Sequence, residues 1–462
     1  MTTRRDFLRS VGSTALVAST TGLASTLAAF PTRAASLSGE YRAMVCVFLF
    51  GGLDNHDVVL PYDQASYGQF IAARPTLIAA QGSQRQRENL LAISPLNGED
   101  YGTRQFALPP EMPGLHGLFN QGDAAIVGNV GPLIQPTTFE DFENESVPLP
   151  PRLFSHNDQQ STWQASVPEG AQFGWGGKFA DAVLAGGANG AAQFTAISSA
   201  NADLFLTGQV AQPYQVSVSG AATIDLLDDL AEEDPALATA LKAHFRAEAY
   251  AGTNLIGQDI AAKQRQALDS NEMFNQAKQA AIPLGTEFPE SELGAQLRAV
   301  AEAISVRDLL QAQRQIYFVG LGGFDTHSEQ APQLPALLGQ IDGAVSAFCT
   351  AMGELGLGDK VTLFTASDFG RTLAVNGDGT DHGWGGHHFV VGQAVNGNRI
   401  FGDIPPPVFG HAQDSGSGRL IPTVAVEQYA AALGSWFGLS EGELLASLPN
   451  LPNFSGRPSL FG

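Results

Sequence analysis

Four residues that can bind metals or move protons follow three apolar segments of the sequence. Asp54 follows AMVCVFLFGGL, Asp325 and His327 follow QIYFVGLGGF, and Asp368 follows KVTLFTAS. Asp325 and His327 are two residues apart, so an extended backbone would direct both side chains to the same side. Carboxylate oxygens and imidazole nitrogens are the ligands that proteins offer to divalent metal ions. The pattern therefore predicts a metal centre to which distant parts of the chain contribute.

A glycine-rich loop after Asp368 supplies two more candidate ligands. Asp381 and His382 lie in the sequence GDGTDHGWGGHH. Six candidates would suffice for one or two ions, whose identity stays open among Zn²⁺, Mn²⁺, Mg²⁺ and Ca²⁺. The alternative interpretations are structural: an acid that caps a turn, a hydrogen-bonded Asp/His pair, or an exposed turn. His387 and His388 open a predicted strand, so at most one of them would face the centre.

Three further residues are candidates for catalysis. Ser155, in FSHNDQQSTWQ, precedes a predicted helix, and the helix N-terminus together with a metal would stabilise an alkoxide. Its alternative role is that of a plain N-cap residue. His156 is a candidate ligand, general acid or support for a ligand. Arg371 either binds an oxyanion or pairs with one of the nearby carboxylates.

The elements that must position these residues alternate between strands and helices. Continuous apolar runs of this length are typical of strands buried on both faces, as in a parallel sheet covered by helices. Helical patterns at Leu293–Gln313 and Leu334–Leu355 complete an α/β pattern. In such folds, ligands bind beyond the carboxyl ends of the strands. Residues 223–281 lack strand signals, which predicts a helical insertion, broken near Pro235 and Gly252, within one domain of residues 36–462.

Charge and the N-terminus indicate where the protein works. The net charge of -22 argues against nucleic acid and anionic membrane surfaces as partners. Residues 1–35 begin with TTRRDFLRS, in which Arg4 and Arg5 are paired, and continue with a stretch rich in Ala, Ser, Thr and Gly. This is the pattern of a twin-arginine export signal, and it is too polar for a membrane span. We therefore expect the export machinery as a partner, a periplasmic or secreted mature protein, and no transmembrane anchor in it.

Several sequence segments resemble, in the same order along the chain, those of a bacterial family known as domain of unknown function 1501. They include FLFGGLDNHDVVLPY, SHNDQQSTWQ, GFDTHSEQ and SDFGRTLAVNGDGTDHGWGGHHFVVG. Members of this family are similar in fold to the alkaline phosphatase superfamily, and many carry twin-arginine signals. The resemblance implies an alkaline-phosphatase-like fold, a three-layer α/β/α sandwich with a mainly parallel sheet. It implies the chemistry only by analogy.

The resemblance also implies roles for individual residues. Asp54 corresponds to the acid that ends the first core strand of that superfamily. Asp325 and His327 correspond to the Asp/His pair after a later strand. Asp368 corresponds to the following acid, and His382 to the last imidazole of the metal centre.

Two departures from the superfamily pattern concern the second metal. Phe369 stands where an alkaline phosphatase carries a histidine ligand, and a typical family member has Glu rather than Asp at position 368. Asp381 or His56 would have to substitute for the missing ligand. The main hypothesis is a metal-dependent hydrolase of phosphate or related esters, in which Ser155 or a metal-activated water attacks a small-molecule or polymer substrate. The alternative is an inactive phosphatase-like scaffold that serves as an exported binding or assembly protein.

Overall fold

The computed structural model describes residues 39–200, 204–221, 225–246 and 254–462, and the predicted export signal at residues 1–35 lies outside them. The strands are β1 (Arg42–Leu49), β2 (Leu60–Pro61), β3 (Leu91–Ile93), β4 (Phe106–Leu108), β5 (Ala124–Gly131), β6 (Ala196–Ser198), β7 (Tyr214–Ser217), β8 (Gly220–Ala221), β9 (Arg314–Leu321), β10 (Val361–Ser367), β11 (Arg371–Val375), β12 (Thr380–His382), β13 (Gly386–Val391), β14 (Ile400–Gly402) and β15 (Val424–Ala425). The helices are α1 (Gln64–Ala73), α2 (Pro75–Gln81), α3 (Pro113–Gln121), α4 (Phe139–Glu143), α5 (His156–Ala165), α6 (Trp175–Ala185), α7 (Asp225–Glu233), α8 (Pro235–Arg246), α9 (Leu255–Gln279), α10 (Glu292–Ser305), α11 (Gln330–Glu354), α12 (Val426–Phe437) and α13 (Glu441–Ser447).

The main sheet has ten strands. Their order is β14, β5, β13, β10, β1, β9, β6, β7 and β8, and β15 also pairs with β5. The central strands β10, β1, β9, β6 and β7 run parallel, while β13 is antiparallel to both of its neighbours and β8 is antiparallel to β7. Two smaller sheets, β11–β12 and β2–β4–β3, lie outside it. The predicted mainly parallel sheet is confirmed.

Alternate residues of β1 show how the sheet is covered on both faces. Val45 and Val47 belong to one hydrophobic core, and Cys46 and Phe48 belong to the other. This alternation follows from the strand geometry, in which successive side chains point to opposite faces. Helices α3, α10 and α11 contribute to the first core, and α5, α6, α12 and α13 contribute to the second. The predicted three-layer α/β/α sandwich is confirmed.

One core helix resembles a membrane span in composition. Helix α11 is long and apolar enough to cross a membrane, but 56% of its most apolar window is buried inside the protein. It packs against α3 and α10. Its apolar character therefore matches its place in the core.

The described part of the predicted insertion at residues 223–281 consists of helices α7, α8 and α9. Helix α8 begins at Pro235, where a break was predicted; proline is favoured at the first position of a helix. Gly252, the other predicted break, lies outside the described residues. Phe274 of α9 is buried and packs against Phe194 and Tyr214, with ring centroids 6.2 and 5.7 Å away. This contact holds the end of α9 against the sheet.

Candidate metal centre

The candidate ligands lie at the carboxyl ends of three neighbouring strands. Strand β1 lies between β9 and β10, and the three run parallel. Asp54 follows β1, Asp325 follows β9 and Asp368 follows β10. The loops that carry these acids therefore meet at one edge of the sheet, as the parallel arrangement requires. The β11–β12 hairpin brings His382 to this edge, and α5 begins there with His156.

Three imidazoles converge on the carboxylate of Asp325. Its Oδ1 lies 3.2 Å from Nε2 of both His327 and His382. Its Oδ2 lies 3.4 Å from Nε2 of His156. The Nε2 atoms of His327 and His382 are 2.8 Å apart. The ligand atoms of His156, Asp325 and His382 lie within 4.8 Å of one another, so these residues could hold a metal ion.

The outer hydrogen bonds of the three imidazoles fix which nitrogen of each ring carries the proton. Every Nδ1 faces an oxygen that can only accept: His156 faces Asp368 Oδ2 at 2.6 Å, His327 faces Asp381 Oδ1 at 3.2 Å, and His382 faces the carbonyl of Phe154 at 2.7 Å. Each Nδ1 therefore donates, and a ring that carries only this proton turns the lone pair of Nε2 inward. These lone pairs then face the carboxylate of Asp325. A cation held by His156, Asp325 and His382 would satisfy the acceptors of these three residues.

An orphaned nitrogen supports the fit. Nε2 of His156 is buried and makes no hydrogen bond, although it points toward Asp325. A buried polar atom without a partner is rare and calls for an explanation. Burial lowers the pKa of His382, which favours the neutral ring that a metal ligand requires. The donor set of His156, Asp325 and His382, two imidazoles and one carboxylate with a third imidazole beside them, fits a divalent transition metal.

Asp368 lies behind the cluster and supports it. Its side chain is fully buried, and its Oδ2 accepts hydrogen bonds from His156 Nδ1, Gln160 Nε2 at 2.8 Å and the Gly51 amide at 3.1 Å. The hydrogen bond from His156 is the main cause of the raised pKa of that histidine. Carboxylates that hold the far nitrogen of a ligating histidine in this way orient the ring and increase its basicity. Asp368 was predicted to be a metal ligand, but the structure places it behind His156, on the side of that ring away from the cluster.

Arg371 holds Asp325 in place. Its side chain is fully buried, and Nη1 donates to Asp325 Oδ1 at 2.9 Å and to the Gly51 carbonyl at 3.1 Å. The Nε and Nη2 atoms donate to Thr380. Burial opposes ionisation of Asp325, but the hydrogen bond and charge of Arg371 outweigh it and lower the pKa of the acid. Arg371 therefore takes the predicted alternative, pairing with a carboxylate.

Asp54 is not brought into the cluster. Both of its oxygens accept from the buried guanidinium of Arg74, at 2.6 and 3.0 Å, and Gln330 Nε2 donates to Oδ2. Burial raises the pKa of Asp54, but the charge and hydrogen bonds of Arg74 outweigh this effect and lower it. Arg74 lies at the junction of α1 and α2 and also donates to two carbonyls of β11. A bidentate guanidinium thus stands where the resemblance implied a metal.

Two other predicted site residues lie around the cluster rather than in it. Asp381 accepts from His327 and from Asn376 Nδ2 at 2.6 Å, so it orients the ring of His327. Ser155 occupies the position before α5, but its Oγ donates to Asp158 Oδ2 at 3.0 Å rather than to the helix backbone. No contact joins Ser155 Oγ to the cluster among the described residues. Its role as a nucleophile stays a prediction.

His387 and His388 are both buried in β13 and away from the cluster. Burial lowers the pKa of His387 to about 4 and that of His388 to about 3. Nδ1 of His387 accepts from the Asn129 amide, and His388 packs against Trp163 with ring centroids 4.9 Å apart. Both are core histidines held neutral, so neither of them faces the centre.

Two further contacts shape the centre, and only the second involves a residue that the sequence had singled out. The carbonyl of Phe154 accepts from His382, and Phe154 has φ of 73°, a strained conformation for a bulky residue. Phe369 packs its ring against His156 and His382, with centroids 4.9 and 4.6 Å away. Backbone acceptors leave no sequence signature. The departure at Phe369, by contrast, was visible and marks the apolar wall of the centre.

One known protein family matches most of the chain. Residues 41–420 match the family described as "Protein of unknown function (DUF1501)". The chain belongs to this family. The resemblance to this family is therefore confirmed over most of the chain, from before β1 to the loop between β14 and β15.

Comparison with curated sequences and solved structures adds little about activity. No curated protein matches the chain. The lipoteichoic acid synthase LtaP from Listeria monocytogenes is similar with a TM-score of 0.32 and 9% identity, over 89% of this chain and 76% of that one. Ps i-CgsB in complex with k-i-k-neocarrahexaose is similar with a TM-score of 0.32 and 11% identity, over 90% and 77%. At these values the likenesses carry no argument about the site.

Proposed function

We propose that the protein is an exported, metal-dependent hydrolase of phosphate or related esters. The observation that supports it is the convergence of three imidazole lone pairs on the carboxylate of Asp325, with each outer nitrogen committed to an acceptor. The proposed ligands are His156, Asp325 and His382, and the imidazole of His327 lies beside them at the exposed side. Two imidazole nitrogens and one carboxylate, next to a third imidazole, favour Zn²⁺ over the oxygen-seeking ions Mg²⁺ and Ca²⁺.

The exposure of the centre favours catalysis over a structural role. The side chains of Asp325 and His327 are 45% and 43% exposed, so one side of the cluster faces solvent. Structural zinc sites are closed, whereas catalytic sites keep a position open for water or substrate. An ion bound here would lower the pKa of a coordinated water and polarise an ester oxygen. The preference for phosphate or related esters rests on the motif resemblance alone.

We propose one ion rather than two. A second ion would need Asp54, whose oxygens are held by Arg74. It would also need an imidazole at position 369, where Phe369 packs against the cluster. Asp368 is engaged by three donors through Oδ2. A fixed guanidinium therefore supplies the positive charge on the Asp54 side of the centre.

Water is the proposed nucleophile. Ser155 Oγ is directed toward Asp158, which is buried and is also approached by Arg152 at 3.3 Å. The residues of this chain then have positioning roles. His327 is held by Asp381, His156 is held by Asp368, and Arg371 keeps the Asp325 carboxylate ionised and oriented.

Metal analysis combined with turnover tests the proposal. The purified wild type should contain about one zinc per chain and hydrolyse an aryl phosphate mono- or diester, and chelation should abolish turnover until zinc is restored. His382→Ala should lose most of both properties. His116→Ala is the matched control, because His116 is a partly exposed histidine of α3 whose ring hydrogen-bonds with the Ala92 carbonyl and Asn120.

The opposite results separate the two hypotheses. A wild type without metal and without turnover, indistinguishable from His382→Ala, refutes the hydrolase proposal. Stoichiometric zinc without turnover on any ester of the panel favours the scaffold alternative instead. In that case, recovery of one stoichiometric partner from periplasmic extract would identify what the scaffold binds.

A further inference from the structure

Arg419 places a guanidinium beside the candidate metal centre, and no carboxylate of the described residues pairs with it. Its Nε donates to the backbone carbonyl of His382 at 2.8 Å, and Nη1 donates to the Gly416 carbonyl at 3.2 Å. Its Cζ lies 5.2 Å from the centre of the Phe154 ring, within cation–π range. Phe154 is also the residue whose carbonyl accepts from the imidazole of His382. Arg419 thus contacts the backbone of His382, a proposed ligand, and the ring of Phe154, whose carbonyl accepts from the His382 imidazole.

The loop before Arg419 is fixed by an internal carboxylate. Asp414 is buried, and its Oδ1 accepts from the amides of Gly416 and Gly418 at 2.8 and 2.7 Å. Its Oδ2 accepts from the Gly410 amide at 2.8 Å. On the other side, the Leu420 carbonyl accepts from the Gly385 amide, also at 2.8 Å. The backbone at Arg419 is therefore preorganised, which reduces the entropy that binding would cost.

The lack of an acidic partner distinguishes Arg419 from the other arginines around the centre. The chain has 46 Asp and Glu against 24 Lys and Arg. The other arginines around the centre are committed to acids: Arg74 to Asp54, Arg371 to Asp325, and Arg152 to Asp158. Nη2 of Arg419, by contrast, has no acceptor among the described residues, and its side chain is partly exposed. An arginine that is held in position and left without a carboxylate has donors available for a ligand.

Charge balance indicates which ligand. Asp325, Asp368 and Asp381 carry three negative charges around the cluster. Arg371 and one divalent ion would balance them, so Arg419 would give the centre its net positive charge. A planar guanidinium with parallel N–H groups matches the oxygens of a phosphate or sulfate group.

We propose that Arg419 binds the anionic group of the substrate beside the metal, so that the substrates are esters of phosphoric or sulfuric acid rather than uncharged esters. The inference rests on the proposed function. It assigns to Arg419 the oxyanion role that the sequence suggested for Arg371. Arg371 is unsuited to that role, because its side chain is fully buried and four of its hydrogen bonds go to protein acceptors.

The inference is tested by measuring how tightly the zinc-loaded mature protein binds inorganic phosphate and inorganic sulfate. Arg419→Gln should weaken binding of the preferred anion by about 10- to 100-fold, the typical effect of losing charge-assisted hydrogen bonds. The dissociation constant for zinc should change by less than about threefold, because Arg419 does not hold a ligating side chain. Arg419→Lys, which keeps the charge, should recover part of the affinity. Arg152→Gln is the matched control, since Arg152 is near Phe154 in sequence but is engaged by Asp158.

The outcomes distinguish this inference from the proposed function. Equal anion affinity in the wild type and Arg419→Gln, or no anion binding by the wild type, overturns it. A parallel loss of zinc affinity in Arg419→Gln also overturns it, because Arg419 would then act by holding His382. Anion binding that depends on Arg419 but occurs without turnover supports the inference and refutes only the proposed hydrolase function. Tighter binding of phosphate than of sulfate assigns the ester class as phosphate, and the reverse order assigns it as sulfate.

Discussion

At the scale of single residues, the centre depends on carboxylates that do not touch the proposed ion. Asp368 is fully buried, and it accepts from His156 on the side away from the cluster. Asp381 does the same for His327 from a more exposed position. Outer carboxylates of this kind fix the ring orientation and increase the electron density on the ligating nitrogen. They should therefore contribute to metal affinity without being ligands.

Asp368→Asn tests this role. The amide keeps the size of the side chain but weakens the hydrogen bond and removes the charge, the two contributions of Asp368 that raise the pKa of His156. We expect zinc affinity to fall by about 10- to 100-fold, as is typical when an outer partner is lost. Competition with a chromophoric chelator measures the change, and the exposed Asp359→Asn is the control. Unchanged zinc affinity in Asp368→Asn would show that His156 is not a ligand.

Among the individual residues, the sequence indicated Asp325, His327 and His382 through their spacing after apolar runs, and the structure brings these three together. It placed Asp54 in the same group because that acid also follows a strand. The partner of Asp54 is Arg74, which lies in a segment without a motif, so the pairing could not be foreseen from spacing. His156 was left with several roles. Its position as a ligand depends on a turn at Phe154 whose positive φ has no sequence signal in a bulky residue.

At the scale of the elements, the close approach of two loops decides the shape of the centre. Gly51 has φ of 114°, and a Cβ atom there would lie 2.3 Å from the backbone nitrogen of Asp325. Only glycine fits at such a contact. Gly52, the next residue, also has positive φ, at 90°, so the chain turns sharply before Asp54. The β11–β12 hairpin was not predicted, because β11 has only five residues and β12 is a polar three-residue strand, so neither shows a clear apolar alternation.

Gly51→Ala should reduce stability and zinc affinity by more than the loss of a glycine with positive φ would by itself. The new Cβ would push the β9 loop and Asp325 away, so we expect a loss of stability above about 2 kcal/mol and a marked loss of zinc affinity. Gly122→Ala is the matched control, because Gly122 also has positive φ, at 89°, and a left-handed backbone, but a Cβ there meets nothing within 4 Å. The control should lose about 1–2 kcal/mol in urea unfolding and should keep its zinc affinity. Equal effects of the two changes would contradict the role of the close approach.

At the scale of the whole molecule, buried histidines should make the fold sensitive to acid. The pKa values of His56, His387 and His388 are lowered to about 3, 4 and 3, mainly by burial. In the unfolded chain a histidine titrates near 6.5. Below that pH the unfolded state binds more protons than the folded state, so stability falls as the pH decreases from about 6.5 toward 4.

Urea unfolding in the presence of a chelator measures this effect without the metal. Each of these histidines should contribute a loss of up to about 1.4 kcal/mol per pH unit below its unfolded pKa. His388→Phe keeps the aromatic packing against Trp163 and should reduce the slope by about one proton. A stability that is flat between pH 7 and 5, or a slope unchanged in the variant, would contradict the assignment.

Export concerns the whole chain as well, and it is proposed from the sequence alone. The paired Arg4 and Arg5 are the recognition feature of the predicted signal. Replacing both with Lys should leave full-length protein in the cytoplasm, as judged by immunoblots of cell fractions. Arg9→Lys, a change at the third arginine of the same segment, should leave export intact. Equal export of all three forms would exclude the twin-arginine route.

The Asp54–Arg74 pair also bears on what happens when the metal supply fails. A guanidinium stays protonated at any physiological pH and cannot be extracted by a chelator. Starvation for zinc would remove the cation at Asp325 but leave the ion pair beside β1 intact, so the loop after that strand would keep its conformation. The metal-free protein would then stay folded around the centre and could bind its ion again without refolding of the surrounding loops.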